Sequence, residues 1–296
     1  MTLTLLLLAV LVGVASAIRS TWSPCGVSML STITPVTERA KRHRYGCTCA
    51  WFIAGAIVGG LALGGVMAGL AVLVAAVGPT PIAAGSAALI ATLVVLVSDT
   101  GIAGMRLPVH FRQVNERWLD AYRPWVYGTG FGFQIGTGVA TYITTATVYL
   151  MMVLGALTGR PGFALVLGAG FGFTRGLAVT LTRKVTTPAA LVAFHQRFVA
   201  LRPWADRLVV GSVAVTSVAL AVAVGPVPVA VAAVAVGGSV LAARAIVRSA
   251  ARRPVRAGAA GPAGESPRRT AEGLAVAVAP DAVPGGSTPG TSVAVG

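Results

Sequence analysis

Long apolar runs separated by short polar connections dominate this chain. Six are plain, at about 49–77, 81–104, 126–157, 161–181, 207–224 and 229–247. A helix needs about 20 mainly apolar residues to cross the hydrocarbon core, so each run predicts a transmembrane helix. The segment 3–36 is less regular. Its apolar start ends at Ala17, meets Arg19 to Pro24, and resumes at Cys25. Pro24 and Pro35 both interrupt a helical hydrogen-bond ladder, so the segment reads as one broken or re-entrant helix. The rival reading is a cleaved signal peptide ending at Ala17; against it, Met1 to Thr4 hold no Lys or Arg.

Composition agrees with the pattern. Of 296 residues, 55% are hydrophobic and only 10% charged, and the mean hydropathy is +0.82. A soluble domain carries about a quarter charged residues, so this chain cannot cover a water-exposed surface. The net charge of +15 comes from basic residues clustered in alternate connections: 39–44, 106–123, 183–207 and beyond 244. Only Arg19, Arg160 and Arg175 lie elsewhere. Basic connections resist translocation, which predicts a multi-pass cell-membrane protein with its N-terminus outside and its C-terminus in the cytoplasm. Trp51, Trp118, Trp125, Trp204, Tyr45, Tyr122 and Tyr127 fall near the same predicted ends, where amphipathic rings anchor. Membrane insertion thus explains the charge without nucleic acid.

The resulting plan is all-α, a polytopic bundle of about seven transmembrane helices. It divides into a first three-helix repeat (1–104), an amphipathic cytoplasmic linker (105–125), a second three-helix repeat (126–225), an additional helix (226–247) and a basic tail (248–296). The tail has too few large apolar residues to bury a core and is expected to be disordered, its start lying against anionic lipid. The connection 188–204 has the same amphipathic look as the linker.

Two short segments match. CGVSMLSTIT begins at Cys25 and TGVATYITTA at Thr137, sharing Gly-Val and a later Thr. Each lies in the first span of a three-span group. Three is odd, so the groups are expected to form an inverted repeat with a site at their interface. With Ser23-Pro24-Cys25 late in the first span, then Pro35, and the paired three-span plan, residues 1–225 resemble the transmembrane domain of the DsbD/CcdA family. The resemblance implies conduction of reducing equivalents through a cysteine from each half, and a cytoplasmic thioredoxin-like partner. Cys25 matches the first cysteine. The second position falls near Thr137, which forms no disulfide.

Among candidate residues, Cys25 reads either as a redox thiol at a helix break or as a small packing residue, and Arg19 nearby could tune it. Cys47 and Cys49 read as a reduced pair, and no metal site or cofactor is expected. Arg175 lies inside span five and Asp99 near the end of span three. An intramembrane charge needs a partner, and the depths of these two differ by about 6 Å at 1.5 Å per residue. They are expected to pair or share a cavity, the alternative being that Arg175 snorkels. Thr137, Thr141 and Thr144 share one face of a continuous helix and either line a substrate path or bond back to their own carbonyls. The glycine-rich 128–133 and 168–173 follow no strand, so they are helix-packing surfaces rather than nucleotide loops. His43, His110 and His195 read as solvated, and no catalytic triad or carboxylate pair is visible. Three functions fit: a DsbD/CcdA-like handler of thiol redox or a small reductant, a small-solute transporter using Cys25, Thr137, Arg175 and Asp99, or a non-catalytic assembly subunit.

Overall fold

The computed structural model describes residues 1–100, 122–138, 145–234 and 236–238. Residues 105–121 of the amphipathic linker, Thr141, Thr144, His110 and the basic tail lie outside them. The described residues are helical, with no strand. Five helices are long and apolar enough to cross a membrane: Thr2–Ser20, Tyr45–Val77, Pro81–Asp99, Pro161–Lys184 and Pro188–Val224.

The first predicted segment divides as its prolines require. Helix α1 is Thr2–Ser20, α2 is Pro24–Thr32 and α3 is Pro35–Ala40. Pro24 and Pro35 each sit in the first turn of the helix they open, where the missing N–H costs nothing. α1 is a core element, since Leu5, Leu8, Ala9, Val12 and Ala15 all join the main apolar cluster. Helix α4, Tyr45–Val77, is 33 residues long, about 50 Å at 1.5 Å per residue. It stops at Gly78, whose φ of 62° is a left-handed conformation suited to glycine. Helix α5, Pro81–Thr100, returns.

The expected continuous span 126–157 is instead two shorter helices, α6 at Pro124–Gly136 and α7 at Thr147–Leu157. Gly138, with φ 67°, turns the chain just past α6. Continuous hydropathy across 126–157 hid this break, because apolar residues suit a helix and its interruption equally. Helix α8, Pro161–Leu177, follows and tightens into a 3-10 stretch to Lys184. Helix α9 is Pro188–Ala200 and α10 is Arg202–Val224. The chain is helical again over 226–234 and 236–238, and the rest of the expected seventh span lies beyond the described residues.

α4 packs between α6 and α8, and glycine makes the approach possible. A Cβ at Gly132 would overlap the Phe52 carbonyl, and one at either Gly136 or Gly172 would overlap the Ala56 carbonyl. Gly168 meets Gly60 and Gly64 in the same way. Small residues four apart let backbones meet, and dispersion then holds the helices together. The glycine-rich stretches are therefore packing surfaces. The outward faces stay apolar: Val58, Val66 and Leu73 of α4, and Val215, Val218 and Val222 of α10, are exposed. Apolar residues inside and out are what a lipid solvent selects.

The connections separate by charge. Tyr45 bonds to Val179 and Thr182, Thr182 to Ile33, and Trp22 to Phe198, so the described basic connections around 39–44 and 183–200 lie at one end. The connections 78–80 and 158–160 lie with Met1 at the other, around a cavity of about 280 Å³.

Candidate functional site

The site is built from two helix breaks. At the first, α1 stops at Ser20 and the Ser23 hydroxyl accepts the Gly26 amide at 3.2 Å, capping α2. Gly26 is required here, because any Cβ would overlap the Thr21 carbonyl. Cys25 is thereby fixed in the first turn of α2, 2% exposed and not in a disulfide.

The second break is held by charge. Asp99, on α5, accepts the Ala146 amide at 2.8 Å, the Thr145 hydroxyl at 2.5 Å and the Thr147 hydroxyl at 2.8 Å. It caps the N-terminus of α7 from a neighbouring helix, placing negative charge at the positive end of the helix dipole. Arg175, on α8, is 3% exposed and donates through Nη1 to the Ile135 carbonyl at 2.5 Å. That carbonyl belongs to the last turn of α6, where cations are favoured. The guanidinium lies 5.7 Å over the Phe171 ring. It also borders Gly138, where a Cβ would stand 3.7 Å from Nη1.

The expected Asp99–Arg175 pair is thus replaced. Each charge takes one lip of the second break, anion at the helix start and cation at the helix end. Depth along the bundle brought the two to similar levels, but the unpaired peptide groups of a broken helix compete for them more closely than they compete for each other. Arg175 does not snorkel, being buried.

Thr137, 8% exposed, sits just past the end of α6, and its hydroxyl bonds back to the Gln134 carbonyl at 2.8 Å. α6 ends at Gly136, and Thr141 and Thr144 lie outside the described residues.

Arg19 takes a partner other than Cys25. It is buried and pairs with half-exposed Asp206, tying α1 to α10. Cys49 is buried and Cys47 exposed, both free. Among the described residues no group of three His, Cys, Asp or Glu side chains converges as a metal site. His195 is not simply solvated: its ring bonds the Ser31 hydroxyl and the Leu191 carbonyl, both at 3.0 Å. α9 packs inward through Phe198, which stacks on Trp22 at 4.5 Å.

Sequence reasoning missed Glu38. It is fully buried and accepts hydrogen bonds from Tyr127 at 2.7 Å and Thr48 at 2.5 Å. Its position inside the basic run 38–44 disguised it as a surface residue. The Thr34–Thr37 capping box that opens α3 was the available signal that this run begins as an ordered helix.

No protein-family model and no solved structure matches the chain. Similar proteins do exist among curated sequences. The chain is 31% identical over 179 residues to the methylamine utilization protein MauF of Paracoccus denitrificans, covering 57% of this chain and 61% of that protein. It is 27% identical over 219 residues to MauF of Paracoccus versutus, covering 70% of this chain and 76% of the relative. It is 28% identical over 227 residues to MauF of Methylobacillus flagellatus, covering 72% and 77%. With long apolar helices and this distant homology of about 30%, the chain is a multi-pass membrane protein related to the methylamine utilization protein MauF.

Proposed function

We propose that the chain conducts reducing equivalents across a membrane in the manner of the DsbD/CcdA family, in support of amine utilization, with Cys25 as its working thiol. One observation carries the reading: Cys25 sits buried in the first turn of a helix that opens directly after a break. A thiol at such a position is placed for exchange, in which the thiolate attacks a disulfide. The matching segments at Cys25 and Thr137 each begin at one of the two breaks, which supports an inverted repeat with its site between the halves.

Thr137 supplies no second thiol, so exchange runs with partner proteins. The Cys25 thiolate attacks a partner disulfide, forming a mixed disulfide and releasing one partner thiolate. One thiolate of a thioredoxin-like dithiol on the cytoplasmic side then attacks Cys25 Sγ in the mixed disulfide and releases the second partner thiolate; its other thiolate attacks the resulting Cys25–thioredoxin disulfide, releases the Cys25 thiolate and leaves the dithiol oxidised to a disulfide, two electrons having passed to the partner. The basic end is assigned to the cytoplasm, where its Arg and Lys residues meet anionic lipid.

The test is to trap Cys25 in intact cells with a thiol-alkylating mass tag. A modified fraction that rises when cytoplasmic thioredoxin is active supports the relay. Permanent reduction, together with a silent Cys25→Ser phenotype, removes it. A second reading, transport of a small anionic solute, is favoured by Arg175 Nε, which is buried with no hydrogen-bond partner among the described residues. Anion flux into proteoliposomes that survives Cys25→Ser and is lost in Arg175→Gln would select it.

A further inference from the structure

We propose that Glu38 and His43 form a proton-exchange site at the basic end of the bundle, whose charge state sets how tightly α6 is held to α3. The site is separate from Cys25 and does not rest on thiol chemistry.

Glu38 is 0% exposed. Three elements converge on its carboxylate: α3 carries it, Thr48 reaches it from α4 at 2.5 Å, and the single Tyr127 hydroxyl of α6 lies 2.7 Å from Oε1 and 2.9 Å from Oε2. Both hydroxyls donate, which suits an ionised carboxylate. A buried carboxylate in such a protein needs compensation. His43 is placed to give it. Its Nδ1 is 3.9 Å from Oε2, and its side chain is 28% exposed against 1% for Glu38. His43 therefore joins a buried acid to the aqueous edge.

The backbone is shaped to hold this arrangement. The His43 amide donates to the Glu38 carbonyl at 2.8 Å, folding the chain back over its own acid. That reversal runs through Arg42, whose φ of 58° makes it the one non-glycine residue with positive φ among those described. A left-handed conformation is unfavourable for arginine, and such strain persists where the surroundings over-determine it. His43 Nδ1 is buried and makes no hydrogen bond among the described residues, leaving it available to Glu38.

The transfer balances. Water protonates His43 at its exposed edge. The Nδ1–H bond then breaks as an O–H bond forms on Glu38, leaving a neutral imidazole and a neutral carboxyl. The 3.9 Å gap exceeds a hydrogen bond, so the step needs a ring rotation or one intervening water. Protonated Glu38 has one fewer acceptor position, so the Tyr127 and Thr48 hydroxyls no longer both donate to it and α6 loosens from α3. The other titratable or charged groups on the elements packed around the site are Arg39, Lys41, Arg42 and Arg44 on the same stretch, Tyr45 and Cys49 on α4, Arg183 and Lys184 on the 3-10 stretch that packs against α3 and α4, and Tyr127 on α6, over whose ring Lys41 Nζ lies at 5.8 Å.

The test uses the full chain in lipid nanodiscs and pH-difference infrared spectroscopy. A buried carboxyl band should grow as the pH falls and be absent in Glu38→Gln. In His43→Gln the band should persist but develop at higher pH, because the imidazolium facing the carboxylate is gone. Tyr127→Phe should move it in the same direction, whereas Tyr45→Phe should leave it in place. The proposal is overturned if no band depends on Glu38 at any pH at which the protein stays folded. It is equally overturned if the band's pH dependence is unmoved by His43→Gln and Tyr127→Phe. Those two variants keep the test open if Glu38→Gln fails to fold, and none of the outcomes depends on the redox behaviour of Cys25.

Discussion

Asp99 offers the sharpest test of how the second break is held. Its carboxylate receives one amide and two hydroxyls, at 2.5–2.8 Å. Hydrogen bonds to a charged group contribute about 1.5–3 kcal/mol each, and charge at a helix terminus adds about 0.3–1 kcal/mol. Asp99 is only half-buried, so the lower part of each range applies. Asp99→Ala removes all three acceptor contacts and is expected to cost about 3–5 kcal/mol. Asp99→Asn keeps the shape and one carbonyl oxygen, which can still take the two hydroxyls. Its amide nitrogen then faces the Ala146 N–H, donor against donor, and the charge is gone. The expected cost is about 2–3 kcal/mol. Unfolding in mixed lipid and detergent micelles measures both values. Hydrogen exchange at the first turn of α7 should rise in both variants before the rest of the bundle responds. If Asp99→Asn is within about 0.5 kcal/mol of wild type, the acid is not acting as an anion and the capping account is wrong.

Two further outcomes test the packing and the orientation. A Cβ at Gly168 would stand 2.6 Å from Gly64 Cα and N, where ordinary contact begins at 3.4 Å; Gly168→Ala should therefore push α8 off α4 by about 0.8 Å and cost about 1–3 kcal/mol. Gly170 on the same helix meets nothing within 4 Å, so Gly170→Ala should be neutral or stabilise by up to about 1 kcal/mol in the same unfolding assay. For the orientation, reporter fusions after residues 110 and 190 should both score as cytoplasmic, and an exterior signal from either would reverse the sidedness.

What the sequence discloses here follows the range of the forces involved. Hydropathy is additive along the chain, so the apolar helices and the separation of basic from neutral connections were visible in it. Glycine spacing exposed the seams of α6 and α8, because a packing face repeats within one helix. Pro24 and Pro35 announced the first break, since proline acts on its own backbone. The second break carries no proline, and Thr137 read with Thr141 and Thr144 as one face of a continuous helix. Asp99 and Arg175 were recognisable as misplaced charges, but their partners were set by where distant peptide groups fell vacant. Glu38 was hidden because burial of a charge depends on neighbours 10 and 89 positions away, Thr48 and Tyr127.

The two breaks therefore differ in how they are supported, and a double-mutant cycle separates them. The first is capped locally, by Ser23 for α2 and by the Thr34–Thr37 box for α3. Ser23→Ala should cost about 1 kcal/mol and add to Asp99→Asn within about 0.5 kcal/mol, because the two caps share no partner. The second break depends on α5 and α8 together. Once Asp99 no longer holds the start of α7, the chain between α6 and α7 is already loosened, and Arg175 has less left to organise. Arg175→Gln combined with Asp99→Asn should therefore cost less than the sum of the single changes, by at least about 0.5 kcal/mol. Strict additivity of that pair would mean that the two charges stabilise their helix ends independently. The break would then be two unrelated termini, and a single structural unit at the centre of the proposed site would have to be given up.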